Sequence, residues 1–345
     1  MFKQLFSLAA LSALLVVVAA DSTEKVEPKY FAETVEGYKF FTAGPRLSAS
    51  KADYEVTTHK TVMELLKARL GEDAVMSLLQ PDVNGADAIW HEVIANSSSG
   101  SWGLEDAQVV LGSQPNVTAS DELAAYKTAV ALLKTRLGED ELASLLQPDI
   151  KAADTIWHEV IANSTGVWVS ADGRAVAFLP NVTALRFLMW QASPWCDAAN
   201  SASNAEHYIK RTVETSPGVL QSEILEGWGG VVTLFSIPSY GTPNRTTHPF
   251  LNELPNFPYQ GAGDKVLRDG TNAVFGVLHI SVRDVDGVEF GETSNGIEIY
   301  ASVWYGDGAA DDFLEAERQH MVIEIINVAI QAQKDIESGK FAPPV

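Results

Sequence analysis

The chain has 345 residues, 46% of them hydrophobic, 9% aromatic and 20% charged. This globular mix excludes disorder, collagen and coiled coil for the whole, and the length suits about two domains. With 45 acidic and 24 basic residues the net charge is −21, which argues against nucleic acid or anionic membrane as partners.

Residues 1–20 read as a cleaved signal peptide. Lys3 supplies the positive start, Leu8 to Val18 the apolar stretch, and Val18 and Ala20 the small residues before Asp21. The apolar run is shorter than the ~20 residues a membrane span needs. Secretion is therefore expected, with no membrane insertion after signal cleavage. Five N-x-[ST] sequons, at Asn96, Asn116, Asn163, Asn181 and Asn244, add the expectation of surface N-glycans. Residues 21–59 form an N-terminal segment without a distinctive pattern.

A duplication follows. Thirty-two residues from Leu65 match thirty-two from Leu132 at 24 positions without a gap. The likeness continues loosely to PNVTA in each copy, so copy 1 spans 60–119 and copy 2 spans 127–184. Two copies are too few for a solenoid, and the closeness points to a recent duplication. Copy 2 runs directly into the rest of the chain, which marks it as the integral one. In each copy, Leu65, Leu66 and Leu70 (Leu132, Leu133 and Leu137) have helical spacing, and Gly71 (Gly138) is a stop. A turn is expected at the following Pro. Asp87 to Val93 reads as a second helix with Ile89, Trp90 and Val93 as its apolar face, and the tail reads as a strand or hairpin. Asp87/His91/Glu92 recurs as Asp154/His158/Glu159. On a helix Asp154 would orient His158, the alternative being an exposed pair beside a core Trp.

Residues 185–340 read as an α+β domain. Cys196 has no basic neighbour in sequence to activate it and reads as a buried free thiol; a lone Cys also excludes a disulfide scaffold and a Cys-rich metal site. AEHYIKRTV is a short helix candidate. VLQSEIL, VVTLFSI, AVFGVLHISVR and IEIYASVW are strand candidates. The Pro- and Gly-rich SIPSYGTPNRTTHPFLNELPNFPYQGAGDK between them reads as a long loop able to close over a pocket. The last element, Phe313 to Ile336, is a helix with Asp312 and Glu315 as a capping box and an apolar arc through Leu314, Met321, Ile325, Val328 and Ala332. The expected fold is thus α+β: a mainly helical N-terminal tandem repeat, then a curved antiparallel sheet packed on a long C-terminal helix.

The candidate site residues lie in this last part. Glu317, His320 and Glu324 share the polar side of the final helix, where two carboxylates would make His320 an acid–base group; the alternative is a solvent-facing stripe. Glu317-x-x-His320 has di-iron spacing, but no second Glu-x-x-His exists, and no metal or cofactor is expected. His279 shares a strand face with Phe275, Val277, Ser281 and Arg283. Glu298, Tyr300, Ser302 and Trp304 share another, mixed as binding pockets are. The expected roles are His279, His320, Glu324 and Glu317 in catalysis, and Tyr300, Glu298 and Trp304 in substrate binding. The acidic run around Asp307 lacks EF-hand spacing, and no Walker loop, G-x-S-x-G or H-E-x-x-H is present. The sequence supports a secreted glycoprotein that binds a small, partly apolar molecule, with acid–base catalysis of the dehydratase, isomerase or esterase kind. The alternative is a non-catalytic extracellular binding or surface protein with a duplicated module.

Overall fold

The computed structural model describes residues 29–79 and 119–342. The leader, Asp87, Ile89, Trp90, His91, Glu92 and Val93 of copy 1, and Asn96 and Asn116 lie outside them. The chain divides into two compact units. One is Leu47–Pro148 with Asn204–Tyr208, and the other is Asp149–Ser203, Ile209–Val345 and the N-terminal residues through Arg46.

The first unit is built from α1 (Lys51–Leu70), α2 (Glu72–Leu79) and α3 (Ala119–Leu145). Ser50 caps α1 by accepting the Asp53 N–H at 3.2 Å. The Gly expected to stop each helix does so by leaving helical dihedrals: Gly71 at φ 86, ψ 150 and Gly138, inside α3, at φ 71, ψ 168. Only glycine occupies that region freely. α1 packs along α3. Val62, Met63, Leu66, Val130 and Leu133 are buried there, Lys60–Glu122 (2.5 Å) joins the two helices at the surface, and Lys127 reaches the buried Glu55 at 3.1 Å.

The second unit is α+β. After α4 (Gln147–Asn163) come β3 (Trp168–Phe178), α5 (Ala184–Gln191), α6 (Trp195–Ser203), β4 (His207–Ser216), β5 (Val219–Trp228), β6 (Val231–Ile237), β7 (Tyr259–Leu267), β8 (Val274–Val285), β9 (Gly296–Gly306) and α7 (Asp311–Glu337). A hairpin of β1 (Tyr30–Val35) and β2 (Tyr38–Ala43) precedes them in the chain. Its tight turn places Glu36 and Gly37 at φ 50 and 83. The nine strands form one antiparallel sheet in the order β1-β2-β3-β9-β8-β7-β6-β5-β4. α7 lies on one face, so close that a Cβ on Gly173 would sit 2.7 Å from the Met321 Cβ. No helix among the described residues is long and apolar enough to cross a membrane.

Four local expectations are corrected. AEHYIKRTV falls mostly in β4, because Tyr208, Ile209, Thr212 and Val213 favour an extended chain. The end of the expected loop, YQGAGDK, is in β7; its glycines hide the strand signal, and Gly263 is needed because a side chain there would strike Ile237 and the Ser239 carbonyl. Pro148 sits in the first turn of α4 rather than in a turn between elements, where its missing N–H costs nothing. α7 begins after Ala310 with no side-chain cap, and Glu315 pairs instead with Arg318 and Gln319.

Candidate functional site

Period-2 alternation sends the residues of β3, β9, β8 and β7 to two faces of the sheet. The register places His279 opposite Ser302, Ser281 opposite Tyr300, and Arg283 opposite Glu298. Arg174 lies opposite Tyr300 and Asp172 opposite Ser302 on the other side of β9. His279 and the Glu298–Trp304 group therefore share the face turned away from α7. Phe275 leaves this face. β7 pairs Lys265 with Gly276 and Val266 with Val274, so Phe275 is the extra residue of a bulge, and its ring lies 4.4 Å from Trp157 on the α7 side.

The connection from β6 to β7 covers this outer face. Phe250 stacks on Trp168 at 4.4 Å, Leu251 packs with Val277 and Trp304, and the Asn252 amide donates to the Tyr300 hydroxyl at 2.9 Å. His248 is anchored to Asp264 at 2.9 Å. Beneath the loop, His279 Nε2 meets Gln260 Oε1 at 3.0 Å and Ser281 Oγ at 3.2 Å. Burial pushes its pKa down to about 4, so the ring is neutral at ordinary pH. No carboxylate is among its hydrogen-bond partners. Glu298 is fully buried and accepts from Arg174, from Arg283 Nε at 2.5 Å and from the Tyr30 hydroxyl at 2.6 Å. Despite burial, the Arg174 guanidinium holds it below the usual carboxylate range. Both Glu298 oxygens are taken up by this network, and Trp304 is core.

Glu317, His320 and Glu324 lie on the opposite side of the sheet. Glu317 and His320 are each 1% exposed, so this stripe faces the protein and not solvent. Glu317 Oε1 accepts the Tyr305 hydroxyl at 3.0 Å with Lys265 Nζ at 3.9 Å, while Oε2 is buried without a partner. Burial raises the Glu317 pKa, and burial and Glu226 raise that of Glu324, which accepts from Asn200. Rings pack the space between these residues and the sheet. Trp157 stacks on Tyr305 at 5.1 Å and touches Trp228 and Phe313 at 6.0 and 5.4 Å, and Lys265 Nζ lies 4.5 Å above both Trp228 and Phe235. A His320 nitrogen and a Glu226 oxygen lie within 4.8 Å, a donor pair of the kind that ligates transition metals. The two candidate histidines thus sit on opposite faces, and the sheet separates them.

A cleft of about 400 Å³ opens elsewhere, where β2 ends. β2 pairs only Lys39–Thr42 with Ala175–Phe178, so the first half of β3 runs on past it. Ala43, Asp172, Arg174, Tyr300, Leu314 and Arg318 are among the lining residues. The Arg174 guanidinium lies 5.4–5.8 Å from the Tyr30, Phe257 and Tyr300 rings. Burial and the Asp172 charge push the Tyr300 phenol up to about 12. Asp172 accepts Ser170 Oγ at 3.2 Å, its Oδ1 is buried, and the carboxylate is also a hydrogen-bond partner of the Tyr300 hydroxyl. Of the expected site residues, only Tyr300 lines this cleft. The free half of β3 is invisible in sequence because no strong local pattern marks the β1–β2 hairpin that leaves it free.

Other candidates resolve locally. His158 Nε2 bonds Asp269 at 2.6 Å rather than Asp154. Burial is the largest single effect and raises the Asp269 pKa, but the hydrogen bonds from Thr271 and His158 together outweigh it and pull the group down to about 2. Cys196 is free and buried, and burial raises its thiol to about 11. Asn163 and Asn244 are exposed and Asn181 half-buried.

No protein-family model matches the chain, and no curated protein does. Solved structures with some similarity include a ginseng major latex-like protein from Panax ginseng, at 8% identity and TM-score 0.29, covering 51% of this chain and all of that one. Ara h 8.0201 aligns at 12% identity and TM-score 0.27, over 50% of this chain and 97% of its own.

Proposed function

We propose that this protein is a secreted glycoprotein that binds a small, partly apolar molecule in the cleft between β3 and the start of α7. The volume of about 400 Å³ falls within the ~300–1,000 Å³ usual for small-molecule sites. Leu314, Ala43 and the Tyr300 ring supply apolar wall, and charged groups supply orientation. The observation that carries the reading is the cleft itself, where apolar wall from Leu314, Ala43 and Tyr300 meets the charged side chains of Asp172, Arg174 and Arg318, the mixture usual in small-molecule sites. The non-catalytic form is favoured, because His279 has no carboxylate hydrogen-bond partner and His320 lies among packed rings on the other face. Export and glycosylation rest on the leader-like residues 1–20 and on the sequons. At Asn244 the side-chain oxygen accepts the Thr246 N–H at 2.9 Å in an exposed turn, which leaves the amide nitrogen outward.

Fragment soaking of crystals of the wild type and of Leu314→Trp tests the site. Fragments should occupy the cleft in the wild type and be excluded by the indole. Fragments found only beneath α7 would defeat the cleft reading and restore acid–base chemistry at Glu317 and His320. Expression of the full chain in a eukaryotic secretory host should yield protein in the medium whose mass falls on enzymatic deglycosylation. Retention inside the cell without glycans would defeat the export reading.

A further inference from the structure

We infer that Lys265 and Glu317 condense to a side-chain amide, a covalent cross-link between β7 and α7, with Glu226 as the base. The inference concerns the packed side of the sheet and does not rest on the cleft reading.

The fold gathers four chemical groups from four elements. Lys265 comes from β7, Glu226 from β5, Tyr305 from β9 and Glu317 from α7. Gly276, opposite Lys265, leaves room for the Tyr305 ring, which a Cβ there would meet at 2.9 Å. Lys265 is 3% exposed. Its Nζ lies 4.5 Å from the centres of the Trp228 and Phe235 rings and 5.5 Å from those of Phe275 and Tyr305. It donates a hydrogen bond to the Tyr305 hydroxyl at 3.2 Å. Glu226 Oε1 stands 3.5 Å away and Glu317 Oε1 3.9 Å away. A buried ion pair repays its desolvation only at hydrogen-bonding contact, and neither carboxylate is at that contact. Desolvated lysines among apolar groups are instead used as nucleophiles.

Glu317 is the electrophile. Burial favours its neutral acid, the form an amine attacks. The Tyr305 hydroxyl donates to Oε1 at 3.0 Å, which polarises the carbonyl and would hold the charge that develops on it. Oε2 is buried without a partner, so the hydroxyl it carries in the acid is the group able to leave. Glu226, the nearer carboxylate, takes one proton from the Lys265 ammonium. The amine attacks Glu317 Cδ, the N–C bond forms, and the Cδ–Oε2 bond breaks. The nitrogen gives up a second proton to the departing hydroxyl, which leaves as water. An ammonium, a carboxylate and a carboxylic acid thus become an amide, a carboxylic acid and one water, with no other reactant. The rings around Nζ shield the amide from water. A single cysteine gives this chain no internal disulfide, and the amide would staple the chain in the same way, closing the loop across residues 265–317.

Tryptic peptide mapping by mass spectrometry of the full-length protein, purified folded and then denatured, reads the bond directly. Trypsin does not cut after an acylated lysine. The wild-type digest should therefore contain a branched species that joins residues 246–268 to residues 284–318 and is lighter than the two peptides by one water. Lys265→Met and Glu317→Leu should each abolish the branch. Glu226→Gln should lower the cross-linked fraction about tenfold or more at a matched time after synthesis. If the folded wild type yields residues 246–265 and 284–318 only as separate peptides, the inference falls whatever the variants do. A branch from residues 246–268 to residues 212–245 would make Glu226 the acceptor and overturn the assignment to Glu317. A folded Glu226→Gln protein that cross-links as fast as the wild type would overturn Glu226 as the base.

Discussion

Lys67 and Lys134 hold the same position in two nearly identical segments, yet the protein uses them differently. Lys67 sits in α1 with its ammonium 3.2 Å from Glu64, an exposed residue one turn back. Lys134 sits in α3, donates to the His207 carbonyl at 2.6 Å and lies 5.5 Å from the Tyr208 ring. Burial drags its pKa down to about 7. The helix–glycine–helix that carries each lysine is the same, with Leu66 and Leu133 both fully buried and Gly71 and Gly138 both at positive φ. The lesson is that the duplicated residues fix the local backbone, and the neighbours fix the chemistry. Copy 2 also continues into α4, whose Trp157 fills the core of the α+β unit.

The largest expected effect breaks the comparison at that continuation. Trp157→Ala removes a fully buried ring and leaves the Thr233 hydroxyl without its 2.9 Å donor. Urea unfolding should show a loss of about 3–5 kcal/mol in the α+β unit; a loss below about 1 kcal/mol would mean the ring is not the core plug described. Leu66→Ala and Leu133→Ala sharpen the likeness. Each should cost about 2–5 kcal/mol, and similar values would establish equivalent packing of the two copies. Gly71→Ala and Gly138→Ala probe the backbone alone, since a methyl group added at either glycine would meet nothing within 4 Å. Each should lose about 1–3 kcal/mol from the glycine-only dihedrals, and a neutral outcome at one would show that its turn can relax.

The last comparison is the most discriminating. A Lys134 pKa of about 7 when folded, against ~10.4 unfolded, means that the unfolded chain binds the proton more tightly. The penalty on folding is complete below pH 7 and fades as pH rises toward ~10.4. Lys134→Met should therefore raise the melting temperature most at or below pH 7 and lose that advantage by about pH 10. Lys67→Met should change it little at any pH. Matching profiles for the two variants would refute the difference between the copies.

Much of the α+β unit was legible where alternation was strong. β5, β6, β8 and β9 show it, and the apolar arc read on α7 is buried at Met321, Ile325, Val328 and Ala332. β7 was hidden because its first half, Tyr259–Asp264, is rich in Gly and poor in β-branched residues. The site was less legible. Glu298, Tyr300, Ser302 and Trp304 do share a face with His279, but sequence could not show that Glu298 is taken up by two arginines and a tyrosine. Nor could it show that the loop over His279 is packed by Phe250 and Leu251.

The order of residues alone determined the periodic elements, the glycine stops and the kinship of the two copies, because each depends on a few neighbours along the chain. Only the tertiary structure decided which face each charged group meets. Asp269 reaches His158 across 111 positions and Arg174 reaches Glu298 across 124. A carboxyl group's partners, and with them its role, are set by distance in space, which no local pattern encodes.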